Sequence, residues 1–210
     1  MSAKGALQLF IIGITGGSGA GKTAVLRALK SFGALTLDCD AIYHGLLADN
    51  AELKAELGFH FTGVLRHGKI DRKRLGAIVF NDPSALNKLN TITHKYISAQ
   101  IEQRLSEWAA LGGKVAAIDA IALIESGTSE KCDIVVGVVA PRESRISRII
   151  SRDKITQEQA EMRINAQKPD DYFKENCDYL LESIYNKPAE FEKKAKDFFA
   201  KLLQAQGLWG

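Results

Sequence analysis

The sequence predicts an α/β fold in which helices cover both faces of a parallel central sheet. Short and nearly continuous apolar runs, which are typical of strands buried on both faces, alternate with amphipathic helical patterns. Between the second and third of these runs lies a stretch of about 75 residues without a strand pattern, which is too long for an ordinary connection. We therefore expect a three-layer sandwich that carries a helical insertion.

The strands of the sheet are predicted in chain order from their apolar runs. The first lies in Leu7–Ile14, and a glycine-rich loop separates it from a helix at Ala24–Phe32, whose apolar residues recur at helical spacing. A second strand, Ala34–Leu37, precedes the insertion. The runs Val115–Ile118 and Ile134–Val139 predict buried strands after it.

Two long helices are predicted from their ends and their apolar stripes. The helix of the insertion begins at Asp82-Pro83, a good N-cap and first-turn pair, and ends at Gly112-Gly113. Its stripe is assigned to packing and consists of Leu86, Leu89, Ile92, Tyr96, Ile97, Ile101, Leu105 and Trp108. The closing helix, Pro188–Gln206, has lysines outward and places inward Phe191, Ala195, Phe198, Phe199 and Leu202.

Length and composition exclude several classes of protein. The 210 residues fit one domain or one domain with insertions, and 46% hydrophobic residues argue against a disordered chain. The formal charge of +3 is too small to indicate a nucleic-acid or membrane partner. The three cysteines form no C-x-x-C pair, and the run Leu7–Ile14 is too short for a membrane span. We therefore expect a cytoplasmic protein.

A glycine-rich segment after the first predicted strand matches the phosphate-binding pattern G-x-x-x-x-G-K-[ST]. Its glycines let successive backbone N–H groups curve around a polyphosphate, and the following helix adds the positive end of its dipole. Lys22 would reach the β- and γ-phosphates, and the Thr23 hydroxyl would hold Mg²⁺. The predicted nucleotide-binding residues are Gly16, Gly17, Ser18, Gly19, Ala20, Gly21, Lys22, Thr23 and Ala24.

Carboxylates follow two of the predicted strands. Asp38 and Asp40 lie at the carboxyl end of the second strand, where ligands bind in open α/β sheets. If the strand continues, both carboxylates point the same way, and one accepts a proton from an attacking hydroxyl while the other organises metal or substrate. The alternative is that such an aspartate caps the next helix. Asp119, after the third strand, is placed to bind the Mg²⁺ shell.

An arginine-rich helix leaves two interpretations open. Arg145, Arg148 and Arg152 fall within about 60° on a helical wheel, beside an isoleucine face. They form either a solvated basic face or part of a mobile lid that covers the γ-phosphate and excludes water. Arg163, in a following helix predicted at Thr156–Gln167, is placed to join them.

Phosphate loops serve switches, motors and kinases alike, so other motifs must identify the class. A GTP-binding switch would need a guanine-reading N-K-x-D, and the Asn-Lys pairs at 87–88 and 186–187 both lack the aspartate. In the order of its motifs the chain instead resembles the dephospho-CoA kinases from end to end. The matching segments are 12–22, 38–42, 68–72, 79–80, 89–94, 148–153, 160–167 and 177–179. Departures from the family pattern are Lys95, Ile121 and Ser183.

The resemblance implies a P-loop kinase sandwich over residues 1–210, with a CoA-binding insertion at about 42–113 and a lid at about 142–175. The implied reaction is ATP- and Mg²⁺-dependent phosphorylation of the ribose 3′-hydroxyl of dephospho-CoA, the final step of coenzyme A biosynthesis. The implied partners are ATP and dephospho-CoA, without nucleic acid or membrane, in a monomer or weak homo-oligomer. Nucleoside or nucleoside-monophosphate kinases, and P-loop proteins that bind nucleotide without phosphotransfer, are the alternatives.

The resemblance also implies roles for single residues. Asp40 would be the catalytic base, while Lys22 and Arg148 would neutralise charge on the transferring phosphoryl group. Arg152 would bind ATP, and Thr23 and Asp119 would hold Mg²⁺. The substrate would be positioned by Thr15, Asp38, Arg72, His94 and Arg163. Arg145 shares the basic face but lies outside the resemblance, so its replacement is expected to matter least.

Overall fold

The computed structural model describes residues 9–184 and 187–209. Its strands are β1 (Phe10–Thr15), β2 (Leu35–Asp38), β3 (Leu65–Arg66), β4 (Lys69–Ile70), β5 (Val115–Asp119), β6 (Ile134–Val139) and β7 (Tyr179–Glu182). Its helices are α1 (Lys22–Ser31), α2 (Cys39–Asp49), α3 (Ala51–His60), α4 (Arg72–Phe80), α5 (Pro83–Ala110), α6 (Arg142–Asp153), α7 (Gln157–Asn165), α8 (Asp170–Asn176) and α9 (Pro188–Ala205). The described residues form two compact units, one up to Leu37 and from Trp108 onwards, the other Asp38–Glu107.

The first unit is built on a sheet with the strand order β2-β5-β1-β6-β7. β1 pairs in parallel with β5 and with β6, and β6 pairs in parallel with β7. The predicted parallel sheet is confirmed, and the predicted strands agree with the observed ones to within a few residues. Leu7, with which the first predicted run begins, lies outside the described residues. The order places the end of β1, where the glycine loop starts, between β5 and β6.

Both faces of this sheet are covered. One face packs against α1 and α9 in a cluster that includes Ile12, Leu29 and Phe199, each fully buried. On the other face a Cβ atom at Gly13 would lie 2.6 Å from the Leu123 side chain. The two layers of side chains fix β1 firmly, because a strand buried on both faces has little freedom to shift.

The second unit, Asp38–Glu107, contains a feature that the sequence analysis missed. β3 and β4 form an antiparallel hairpin inside the segment predicted to hold only helices, so that expectation was wrong in part. Both central residues of the turn have positive φ, 48° at His67 and 73° at Gly68, as a two-residue type I′ turn requires. Two-residue strands carry too little alternation to give a periodic signal.

The long helix α5 begins at the predicted Pro83 and ends at Ala110, close to the predicted glycines. Of its predicted stripe, Ile92, Ile101 and Leu105 are buried, and they contribute to packing as expected. Leu86 is 42% exposed, so the stripe does not extend to the first turns of the helix. The prediction of an uninterrupted buried stripe was wrong at that end.

The segment from 142 to 176 folds as three helices, α6, α7 and α8. Thr156 caps α7 in a capping box with Gln159, and the helix ends at Asn165, two residues short of the predicted Gln167. Ile149, Ala160 and Ile164 form a small buried cluster between α6 and α7. These two helices therefore have a core of their own, separate from the main cluster that contains Phe199.

No helix among residues 9–184 and 187–209 is both long and apolar enough to cross a bilayer. The closing helix α9 is instead amphipathic and packs on the sheet through Phe191, Ala195, Phe199 and Leu203, all buried. Phe198 and Leu202, also predicted to face inward, are only partly buried. At the C-terminal end of α9, Leu203 is therefore buried in place of the predicted Leu202.

We expect Phe199→Ala to lower the free energy of unfolding by ~3–5 kcal/mol, because it leaves a cavity in the main cluster. Denaturant unfolding at neutral pH measures the change. Lys201→Ala on the exposed side of the same helix is the control and should change stability little. Equal losses in the two variants would contradict the packing of α9 on the sheet.

Candidate active site

The glycine loop joins β1 to α1 and presents backbone groups at the carboxyl end of the sheet. α1 begins at Lys22, so the N–H groups of Lys22 and Thr23 belong to the first turn, where a helix supplies no acceptor. The Lys22 ammonium group donates a hydrogen bond to the carbonyl oxygen of Gly16 at 2.9 Å. The lysine therefore curls over its own loop, within reach of an anion bound to these amides.

Gly19 shows why this loop needs glycine. Its φ of +77° is a left-handed conformation, and a Cβ atom there would lie 2.7 Å from the backbone oxygen of Arg145. An L-residue would be strained by the φ and would also collide with α6. The loop thus lies against the backbone of α6, which is part of the predicted lid.

Arg145 corrects the expectation of a solvated basic face. Its side chain is only 6% exposed, and it lies within the protein beside the loop. Its Nε donates to the carbonyl oxygen of Ser18 at 3.0 Å, and its Nη1 lies 3.5 Å from the Asp170 carboxylate. Burial lowers the pKa of Arg145, and Asp170 opposes that shift. The helical wheel gives angles but not neighbours, so it could not separate this arginine from the others on its face.

Gln167 is a residue that sequence reasoning did not assign to the site. Its Oε1 accepts the N–H of Ser18 at 2.9 Å and Nη2 of Arg145 at 2.8 Å. Its Nε2 donates to the Ser18 hydroxyl at 2.9 Å. Gln167 closes the matching segment 160–167, and that position was the only available signal. Ser18 was predicted to bind nucleotide, but its side chain is buried and bonded to Gln167.

Arg148 is half-buried and donates to backbone oxygens on two sides. Its Nη1 lies 3.0 Å from the carbonyl oxygen of Gly19 and 3.4 Å from that of Ala20. Its Nη2 lies 3.3 Å from the carbonyl oxygen of Ser183. Burial lowers the pKa of Arg148. The guanidinium group is therefore placed directly beside the phosphate loop.

Arg152 and Arg163 share one carboxylate, that of Asp153. Arg152 binds it through two hydrogen bonds, of 2.7 and 2.9 Å, and Arg163 donates to the same group. These contacts, above all the hydrogen bond from Arg152, lower the pKa of Asp153 to about 2. Both arginines remain solvent-exposed, at 60% and 43% of their side chains. They lie on the outside of α6 and α7 with their charges offset by Asp153.

Asp119 ends β5 in register with Ile14 of β1, next to the start of the loop. Its Oδ1 atom is shielded from solvent. Thr15, predicted to bind substrate, is fully buried, and its hydroxyl donates to the carbonyl oxygen of Ile121 at 3.1 Å. This geometry makes Thr15 a support for the turn after β5.

The residues present fit a magnesium ion that binds together with phosphates. Mg²⁺ prefers hard oxygen ligands and in kinases takes one or two from protein, the others coming from phosphate and water. The Thr23 hydroxyl and the Asp119 carboxylate are such ligands, at the first turn of α1 and at the end of β5. No group of three or more His, Cys, Asp or Glu side chains in the described part of the chain makes a preformed metal cage.

The second unit holds Asp40, the predicted catalytic base, and Asp38, which was predicted to position the substrate. The strand does not continue to residue 40 as supposed, because β2 ends at Asp38 and α2 begins at Cys39. The two carboxylates therefore do not share one face of a strand, and that expectation was wrong. Asp38 caps α2 by accepting the N–H of Ala41 at 3.0 Å, whereas Asp40 is exposed in the first turn.

The second unit also holds Arg72 and His94, which were predicted to bind substrate. Asp71 caps α4, which makes Arg72 the first residue of that helix, directly after the β3–β4 hairpin. Burial raises the pKa of Tyr43, and the charge of Arg72 partly offsets that shift. Tyr43 is thus an electrostatic neighbour of Arg72 that the sequence analysis missed. His94 is half-buried on α5, and burial lowers its pKa.

Comparison with known proteins identifies the family. A model of the dephospho-CoA kinase family matches residues 10–187. The dephospho-CoA kinase of Geobacter sulfurreducens is 35% identical over 196 residues, which cover 91% of this chain and 98% of that protein. The dephospho-CoA kinase of Dehalococcoides mccartyi is 38% identical over 162 residues, which cover 76% of this chain and 81% of that protein. The chain belongs to the dephospho-CoA kinase family.

Solved structures agree with this membership. The crystal structure of TT1252 from Thermus thermophilus matches with a TM-score of 0.78 at 29% identity, covering 93% of this chain and 98% of that one. The dephospho-CoA kinase of Campylobacter jejuni matches with a TM-score of 0.67 at 26% identity and the same coverage. A shikimate kinase from Acinetobacter baumannii, at 18% identity and a TM-score of 0.53, shares the fold. The predicted resemblance, the P-loop kinase fold and the assignment as a phosphotransferase acting on an alcohol are confirmed.

His94 gives a prediction on pH. Because burial lowers its pKa below the ordinary 6.5, the unfolded chain takes up the proton first as pH falls. Stability contributed by neutral His94 is therefore full above pH ~6.5 and is lost progressively below it. We expect His94→Gln to weaken the fall in unfolding free energy between pH ~7 and ~5 in urea titrations.

The control for this measurement is His44→Gln, which replaces an exposed histidine on α2 of the same unit. That variant should leave the free energy of unfolding at neutral pH near the wild-type value, because the replaced side chain is exposed. Identical pH profiles for His94→Gln and the wild type would contradict the burial of His94.

Proposed function

We propose that this protein transfers the γ-phosphoryl group of ATP to the ribose 3′-hydroxyl of dephospho-CoA. The observation that carries the proposal is the family match over residues 10–187, which includes the phosphate loop, the whole of the second unit and the arginine helices. A phosphate loop alone is compatible with many acceptors, and a match that also covers the second unit narrows the choice. The oxygen of the 3′-hydroxyl bonds to the γ-phosphorus, and the bond to the β-phosphate oxygen breaks to release ADP.

The nucleotide side of the reaction is assigned to the loop. Backbone N–H groups at the start of α1 and the Lys22 ammonium group bind the phosphates, and Arg148 lies 3.0 Å from the Gly19 carbonyl, beside them. Thr23 and Asp119 would hold Mg²⁺, which offsets charge on the phosphates when it is bound. Because Lys22 already bends back to the loop at Gly16, little reorganisation is needed on binding.

The acceptor side is assigned to the second unit. Asp40 is the proposed base, since its exposed carboxylate lies in the first turn of α2, whereas the Asp38 carboxylate is engaged as the helix cap. It would accept the proton of the 3′-hydroxyl during attack. Arg72 and His94, together with Asp38, would position dephospho-CoA.

The remaining assignments concern the lid and the setting of the enzyme. Residues at about 142–175 are the proposed lid, from which Arg152 and Arg163 would reach ATP and substrate by exchanging Asp153 for phosphate. The insertion at about 42–113 would bind the CoA moiety. We place the protein in the cytoplasm, because Cys132 and Cys177 are thiols, as expected in a reducing compartment. We also propose that the protein is a monomer or weak homo-oligomer and that it binds neither nucleic acid nor membrane.

An acceptor comparison tests the function. Purified protein with ATP and Mg²⁺ is offered dephospho-CoA, adenosine or a nucleoside monophosphate, and ADP release and the phosphorylated product are measured. We expect turnover with dephospho-CoA and product phosphorylated at the 3′-oxygen. Lys22→Ala is the control for contaminating kinases and should abolish turnover while leaving the fold intact, because Lys22 lies outside the core. Faster turnover with adenosine or a nucleoside monophosphate would show that dephospho-CoA is not the preferred acceptor.

A second prediction separates the two aspartates. Asp40→Asn should lower kcat by ~10²–10⁴-fold without weakening ATP binding, because the amide cannot accept the proton. Asp38→Asn is the matched control, since asparagine is also a good N-cap and preserves the start of α2. A larger loss of kcat in Asp38→Asn than in Asp40→Asn would assign the role of catalytic base to Asp38.

A further inference from the structure

Arg145 is a buried cation that the proposed reaction does not use. It is buried, whereas arginine is rarely buried unless its charge is matched. Its five N–H donors must find acceptors once water is removed. Three acceptors within the first unit meet it: the Ser18 carbonyl, Gln167 Oε1 and the Asp170 carboxylate. The site is therefore built for this guanidinium group.

Every polar group of Ser18 is engaged by the same two side chains. Its carbonyl oxygen accepts from Arg145, and its N–H and hydroxyl bond to the two ends of the Gln167 amide, both at 2.9 Å. Arg145 and Gln167 also bond to each other at 2.8 Å. The three residues form a closed network with Ser18, which lies in the middle of the phosphate loop. Such a network holds one backbone conformation, because shifting Ser18 breaks several hydrogen bonds at once.

The two glycines on either side of Ser18 leave no room for a side chain beside this network. A Cβ atom at Gly17 would overlap Nη2 of Arg145 and would lie 2.8 Å from Oε1 of Gln167. A Cβ atom at Gly19 would lie 2.7 Å from the Arg145 carbonyl oxygen. Two glycines of the loop are thus required by the approach of Arg145, in addition to any need to admit phosphate. The loop and α6 are fitted to each other over these three residues.

We propose that Arg145 and Gln167 are positioning residues that fix the phosphate loop for ATP by binding Ser18, without touching the nucleotide themselves. We call the pair the Ser18 clamp. The proposal deepens the proposed function, on which it rests only in taking ATP as the ligand of the loop. With the Ser18 peptide groups bound on the α6 side, the amides at the start of α1 are held ready for the phosphates.

Direct binding measurements test the clamp. The variants are Arg145→Met, Gln167→Met and the double variant, in the full chain, and ATP binding with Mg²⁺ is measured by calorimetry without acceptor. We expect the dissociation constant for ATP to rise about tenfold to a hundredfold in each single variant, because a loosened loop misplaces its donors. The double variant should be little worse than the worse single variant, since both residues act on Ser18.

Arg142→Met is the matched control. Arg142 is exposed on the same helix, and its Nη2 donates to Asn165 Oδ1 at 2.8 Å, a hydrogen bond that joins α6 to α7. Its replacement should leave ATP affinity near the wild-type value. Arg145→Lys keeps the charge but not the forked donors, and it should restore only part of the affinity that Arg145→Met loses. If Arg145→Met does not fold, Gln167→Met tests the proposal alone, because Gln167 is only half-buried.

Kinetics separate the clamp from other roles. Loss of the clamp should raise KM for ATP while KM for dephospho-CoA stays near wild type, whereas a general loss of folded protein would lower activity without changing either KM. Unchanged ATP affinity in both single variants would overturn the proposal. A fall in kcat with unchanged ATP affinity would also overturn it, since Arg145 would then act on the transferring phosphoryl group. Loss of ATP affinity in a protein that does not phosphorylate dephospho-CoA would support the clamp and reject only the proposed acceptor.

Discussion

A loop that binds polyphosphate through backbone N–H groups must be bent tightly and yet held still, and these demands conflict. Tight bending requires glycine, as at Gly19 with its φ of +77°, and glycine has the greatest conformational freedom. The loop therefore needs supports outside itself. β1, buried on both faces, fixes one end, and α1 fixes the other. In the middle of the loop, Arg145 and Gln167 supply hydrogen bonds to Ser18 that hold the backbone in place.

Local sequence patterns specified the parts of the fold that are regular. Apolar runs predicted β1, β5 and β6, since strands buried on both faces leave little choice of residue. An N-cap and first-turn pair predicted the start of α5 at Pro83, because unsatisfied N–H groups at a helix start select few residues. The β3–β4 hairpin was not predicted, because two-residue strands are too short to show alternation of apolar and polar residues. His67-Gly68 is a turn signal in retrospect.

The candidate site was predictable where chemistry depends on neighbours in sequence. The glycine loop and its Lys22 are contiguous, so spacing alone identified them. Arg145 and Gln167 are separated from Ser18 by more than a hundred residues, and only the fold brings them together. The same limit applies to Asp38, since strand and helix start are both compatible with an aspartate there. Its hydrogen bond to Ala41 decides in favour of the helix cap.

Burial sets Arg145 of α6 apart from Arg152 of α6 and Arg163 of α7. Arg145 is enclosed, and moving it would expose the Ser18 peptide groups and leave Asp170 without its cation, so it stays in place. Arg152 and Arg163 are exposed and bonded to one carboxylate, and exposed ion pairs are weak. A phosphate carrying more charge than Asp153 can replace that carboxylate at little cost. One helix thus holds a buried arginine against the loop at residue 145 and, two turns later, carries an exposed arginine whose charge is offset by Asp153.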